Sequence, residues 1–152
     1  MKRYDKLIFA DKSDTSVAPM AEAIMQDLLR LDDILVESRG LVVLFPEPPV
    51  AMAEDILERH GLSFGVLGHA STPVTEQDFD ERTLVLTMET AHKDKILEQW
   101  PEAVNLYTLG EYVGVPEDIE DPYGGAEDAY EQCYDRLRGM LLTLAETIKE
   151  EA

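Results

Sequence analysis

Apolar residues recur with two periods along this chain, and the alternation between them outlines its architecture. Short apolar runs at residues 5–10, Ile34–Glu37, Thr83–Met88 and near Asn105–Leu109 read as strands. Thr83–Met88, TLVLTM, is almost wholly apolar, as expected for a strand covered on both faces. Between these runs the period lengthens to three and four. Met20, Ile24, Leu28 and Leu31 predict a helix from about Pro19 to Leu31. Val50, Ala53, Ile56 and Leu57 predict another, opened by Pro49 and stopped by Gly61. Ala91, Ile96 and Leu97 mark a third over 90–99, with Trp100 closing the layer. Tyr130, Cys133, Leu137, Met140, Leu141, Leu144 and Ile148 mark a long final helix. Leu41–Phe45, cut off by Pro46-Glu47-Pro48-Pro49, reads as a partly packed connection, and Val113–Gly125 as a long acidic loop.

Strand and helix in alternation predict an α/β fold of three layers, a four-stranded parallel sheet with helices on both faces. The chain shows no internal repeat, low-complexity tract or linker, and its length suits one domain over 1–152. With right-handed crossovers, a ligand site belongs beyond the carboxyl ends of the strands at the switch in strand order. The loop after the first strand lies there.

That loop sits within Leu7–Met25, LIFADKSDTSVAPMAEAIM. A strand, a polar loop and a helix gather backbone N–H groups around one small site, a natural anion cradle. Its residues are Asp11, Lys12, Ser13, Asp14, Thr15, Ser16, Val17 and Ala18, and Lys12 is its only cation. Asp and Ser in such a loop also have an ordinary use, accepting hydrogen bonds from neighbouring backbone N–H groups in turns and caps.

Pro19-Met20-Ala21-Glu22-Ala23 after a strand and an eight-residue loop resembles the low-molecular-weight protein tyrosine phosphatases, whose loop reads Cys, five residues, Arg, and Ser or Thr before Pro-Met-Ala-Glu. Glu120-Asp121-Pro122-Tyr123-Gly124-Gly125 resembles that family's Asp-Pro-Tyr loop. Ser38-Arg39-Gly40 resembles its Ser-Ala-Gly segment, and Thr75–Lys93 its helix, strand and Met-x-x-x-His stretch. The resemblance implies the phosphatase fold across nearly the whole chain. It puts Asp11 at the nucleophilic cysteine, Val17 at the phosphate-binding arginine, Ala18 at the assisting hydroxyl and Asp121 at the general acid. Tyr123 would form a wall of the cleft.

Three of those positions are changed in kind. A thiolate is a strong nucleophile once a helix N-terminus and nearby cations lower its pKa, whereas a carboxylate is a weaker one. A bidentate guanidinium fixes the phosphoryl oxygens, and valine donates no side-chain hydrogen bond. The expectation is therefore a phosphatase-like fold that has lost catalysis and serves as a binding or regulatory module, Asp121 being vestigial. No cofactor and no metal is expected, and the partner is an unidentified protein or a small anion. The alternative expectation is an active protein tyrosine phosphatase or related phosphohydrolase using Asp11 in place of cysteine, with or without a metal ion. A strand ending in Asp also resembles the metal-dependent aspartyl phosphatases, although the second Asp, Asp14, stands three positions on where that pattern has it two positions on. A third reading is an anion receptor working through backbone N–H groups alone.

Charge adds a constraint. Thirty-two acidic residues against thirteen basic give a net charge of -19, which opposes nucleic acid and anionic membrane surfaces. A phosphorylated substrate needs positive charge concentrated at the site. No run approaches the roughly 20 apolar residues of a membrane span, and Met1-Lys2-Arg3 has no signal-peptide pattern, so a cytoplasmic protein is expected. Cys133, the single cysteine, forms no internal disulfide and reads as core packing. His60, His69 and His92 show no ligand-like spacing and read as surface or cap residues. Oligomeric state is left open.

Overall fold

The computed structural model describes residues 3–64 and 68–151, so Met1 and Lys2 lie outside the described residues. In chain order the elements are β1 (Lys6–Asp11), α1 (Val17–Leu28), β2 (Leu35–Gly40), α2 (Ala51–Arg59), a 3-10 turn (Glu76–Asp78), β3 (Thr83–Thr87), α3 (Thr90–Gln99), β4 (Leu106–Thr108), α4 (Leu109–Val113) and α5 (Glu127–Glu150). All four strands run parallel in the order β2-β1-β3-β4. The order reverses between β1 and β3, which puts the loop after β1 at the switch point, as the sequence predicts.

β1 and β3 are buried on both faces, and their alternating side chains feed two unequal cores. Leu7, Phe9, Leu84 and Leu86 belong to a large core with α1, α2 and α5 residues such as Met20, Ile24, Ile56 and Leu141. Ile8, Ala10 and Val85 belong to a small one closed by Ile96, with Phe79 and Trp100 against it. Thus three helices cover one face of the sheet, while α3 is the main cover of the other.

Most boundaries fall within a few residues of the sequence reading, and the departures have local causes. α1 begins at Val17, so Pro19 is its third residue, where a missing N–H costs nothing because first-turn donors lack intrahelical partners. It ends at Leu28, and Leu31, expected on the apolar face, is 91% exposed after the turn closed by Asp32 N–H donating to Leu29 C=O. β2 extends to Gly40. The expected helix after Thr75 is the single 3-10 turn, held by a reciprocal Thr75–Asp78 capping box. α4 was not anticipated, although Thr108-Leu109-Gly110-Glu111 carries its capping box.

Candidate active site

The loop after β1 is built around the side chain of its first residue. Asp11 Oδ1 accepts from Asp14 N–H at 2.7 Å and Asp11 Oδ2 from Ala18 N–H at 2.9 Å. Ser16, the N-cap residue of α1, makes no side-chain cap. Asp11 does that work from seven residues upstream, satisfying a first-turn donor and placing negative charge at the positive end of the helix. The cradle expected for an outside anion is thus organised on an internal one. Asp11 is 4% exposed, and burial, opposed by those two hydrogen bonds, raises its pKa to about 6.

A second layer supports this arrangement from behind. Asp14 adopts a left-handed backbone, φ 58°, a region Asp tolerates better than most residues. Its Oδ2 accepts from Thr72 N–H at 3.0 Å, while Oδ1 lies 3.5 Å from His69 Nε2. His69 Nε2 also lies 2.8 Å from the Asp14 carbonyl oxygen, and Nδ1 is 3.4 Å from Glu22 Oε2, to which Ser38 Oγ donates at 3.5 Å. Burial raises Asp14 to about 7. Burial alone would lower His69, but Glu22 and Asp14 outweigh it and its pKa is raised. His69 is therefore no surface or cap residue. Gly40, at the end of β2, makes the close approach possible: a Cβ there would stand 2.7 Å from the Ser13 carbonyl carbon and 3.0 Å from Asp14 N.

In front of the loop a cleft of about 100 Å³ is lined by Asp11, Lys12 and Val17 from the loop. Met88, Glu89 and His92 come from the junction of β3 and α3, and Ile119 and Asp121 from the acidic loop. Two contacts tie that loop down. Ile119 N–H donates to Met88 C=O at 2.9 Å, and Asp118 Oδ1 accepts from both Thr90 N–H and Thr90 Oγ, each at 3.0 Å. The structure thus brings Asp121 to the same cleft as Asp11, from the far side of the sequence. Tyr123, expected as a cleft wall, does not line it; the side chain is 74% exposed, because its N–H donates to Asp121 Oδ1 in a tight turn that leaves the ring in solvent.

Val17 and Ala18, at the positions of the arginine and the hydroxyl, are 1% and 0% exposed and pack in the large core. Ser13 and Thr15 hydrogen-bond to each other at 2.8 Å, and Lys12 is exposed toward the cleft. His92, read from sequence as a surface or cap residue, lines the cleft with Nε2 3.6 Å from Glu89 Oε2. Burial lowers its pKa, leaving a neutral imidazole near neutral pH. Glu89 and His92 were legible in principle, since the first turn of a helix following a parallel strand faces the switch point. His69 offers no such signal, because it reaches the loop from a connection without periodic pattern. His60 stacks on Tyr134 at 3.9 Å, beside Glu131 and away from the cleft. Cys133 is buried with its pKa raised to about 12, an inert thiol. Among the described residues no three His, Cys, Asp or Glu side chains form a metal-binding group. No helix among them is long and apolar enough to cross a membrane.

Comparison with known proteins places the chain among its relatives. Residues 6–152 match the family described as low molecular weight phosphotyrosine protein phosphatase. A low molecular weight protein-tyrosine-phosphatase PtpB of Staphylococcus epidermidis is 34% identical over 136 residues, covering 90% of this chain and 94% of that protein. A protein-arginine-phosphatase of Bacillus subtilis is 34% identical over 152 residues, covering 95% and 97%. A YwlE arginine phosphatase structure, a cysteine-to-serine mutant with a phosphorylated active-site serine, superposes with a TM-score of 0.88 at 31% identity, covering 96% of this chain and 97% of that one. These relatives overturn the expectation of an inactive module, since proteins similar along nearly the whole chain are named as phosphatases. The four-stranded parallel sheet is that of the structural neighbours. The chain belongs to the low molecular weight phosphotyrosine protein phosphatase family.

Proposed function

We propose that this protein is a phosphohydrolase acting on a phosphorylated protein side chain, tyrosine or arginine, with Asp11 as the phosphoryl acceptor in place of cysteine. The observation that carries it is the cleft that joins Asp11, oriented by two loop N–H groups, to Asp121 on the tethered acidic loop. Relatives along nearly the full length act on phosphotyrosine and phosphoarginine by name. The neighbour bearing a phosphorylated serine gives further support, because there an oxygen has taken the phosphoryl group at the active site.

The chemistry balances in two steps. A lone pair on the Asp11 carboxylate forms a bond to phosphorus as the bond to the leaving phenolic oxygen or guanidino nitrogen breaks, and Asp121 gives its proton to that leaving atom. Water, deprotonated by Asp121, then attacks the phosphorus of the aspartyl phosphate. The bond to Asp11 breaks, releasing inorganic phosphate and restoring the carboxylate. Lys12 at the cleft meets the charge on the phosphoryl oxygens. With valine where the family has arginine, turnover is expected to be slower than that of relatives by roughly 100- to 1,000-fold, the usual cost of one strong transition-state donor.

The test is hydrolysis of an aryl phosphate and of phosphoarginine by purified protein, with Mg²⁺ and with chelator. Turnover above the buffer rate that disappears in Asp11→Ala supports the proposal, and the two metal arms report whether a divalent ion assists. Background rates in every arm, or full activity in Asp11→Ala, contradict it.

A further inference from the structure

A larger cavity adjoins the catalytic cleft and shares Lys12, Glu89 and His92 with it. Its volume is about 800 Å³, within the range of ligand-binding grooves. The groove exists because α3 is the main cover of its face of the sheet, leaving the segment after β2 to form the opposite wall through Leu41 and Val42. On α3 the lining runs from Ala91 to Trp100 at intervals of three and four. Nine helical steps span about 13 Å, the length of roughly four residues of extended polypeptide. The groove therefore begins at the phosphoryl site and leads away from it along one helix.

Charge distinguishes this groove from the rest of the surface. In a chain of net charge -19, most basic side chains pair with carboxylates, among them Lys6 with Glu37, Arg59 with Glu127, Lys93 with Glu111 and Arg136 with Glu117. Lys12, Lys95, Arg138 and Lys149 have no ion-pair partner among the described residues, and the first two line this groove. Its two acidic residues, Glu89 and Glu98, form no ion pair with either ammonium group among the described residues, which leaves Lys95 open to a carboxylate from outside. Leu41, Val42 and Trp100 supply apolar surface alongside them.

We propose that this groove seats the polypeptide flanking the phosphorylated residue of the substrate, and that it selects an acidic side chain next to an apolar one within about four residues of the phosphoryl group. The acidic side chain meets Lys95; the apolar one packs between Leu41, Val42 and Trp100. This rests on the phosphohydrolase reading for its substrate, but peptide binding is measurable without catalysis.

Trp100 is the only tryptophan and reports directly on the groove. Its fluorescence is titrated with three unphosphorylated peptides of equal length: one carrying Glu beside Leu, one carrying Lys beside Leu, and one carrying Glu beside Ser. The first is expected to bind at least fivefold more tightly than the other two. Lys95→Glu is expected to weaken it by roughly fivefold, and to raise KM for the phosphorylated form by a similar factor while leaving small aryl phosphate turnover unchanged. Equal responses to the three peptides, or unaltered affinity in Lys95→Glu, overturn the groove assignment. Selective peptide binding without hydrolysis of any phosphate would retain the groove and overturn the phosphohydrolase reading instead.

Discussion

Asp11 caps α1 and lines the cleft, where the proposed function makes the same carboxylate the phosphoryl acceptor. Burial lifts its pKa to about 6, so the attacking carboxylate becomes predominant only above that pH. For an aryl phosphate, the acid limb of kcat/KM is expected to rise about tenfold per pH unit up to about pH 6. A profile already flat at pH 5 would contradict a role for Asp11 ionisation. Asp14 gives a prediction of stability instead. Folding holds its proton more tightly than the unfolded chain does, since its pKa rises from 3.8 to about 7. The stability linked to that proton is complete below pH 4 and is lost as pH climbs through 7. Raised His69 adds a loss in the same direction above its ordinary value of 6.5. Asp14→Asn keeps an acceptor for Thr72 N–H but carries no charge. It is expected to gain about 1–3 kcal/mol relative to the parent between pH 5 and pH 8, read by urea denaturation at both. An unchanged difference between the two pH values would exclude Asp14 as the titrating group. A third substitution set restores the family pattern: Asp11→Cys with Val17→Arg and Ala18→Ser. Its turnover of an aryl phosphate is expected to exceed the parent's by 100-fold or more, measured as kcat. No gain would mean that the loop backbone has lost the family's shape.

Elements position these residues, and here the sequence was informative to different degrees. β1, β3, α3 and α5 carry their periods openly, because each is bounded by turns and packs through a regular stripe or a double-sided run. Tyr123 and Leu31 were misread because exposure depends on where a turn aims the chain, which periodicity does not encode. The Asp14–His69–Glu22 cluster was illegible for a different reason: three segments meet only after β2 and the chain following α2 have folded back on the loop. Gly40 is the point of contact. Gly40→Val would press on Ser13, Asp14 and Val43, and is expected to cost about 1–3 kcal/mol of stability and most of the hydrolytic activity. Measurement of both by urea denaturation and steady-state turnover separates this from a surface change. A variant with parental values would show that β2 does not hold the loop.

Under the proposed function, a whole molecule of charge -19 faces a dianionic phosphoryl group. Screening should therefore help: KM for a phosphorylated substrate is expected to fall severalfold between about 20 and 200 mM salt. Positive charge at the cleft comes from Lys12. That placement was readable from strand order and from Asp121 recurring far along the chain, while the tether that brings Asp121 over the cleft, through Ile119 and Asp118, was not. The decisive experiment is rapid acid quench of the protein turning over a phosphorylated substrate, followed by intact mass and peptide mapping. One phosphoryl group on Asp11, lost in Asp11→Ala together with turnover, is the expected result; hydrolysis that continues in Asp11→Ala would contradict the assignment of the acceptor.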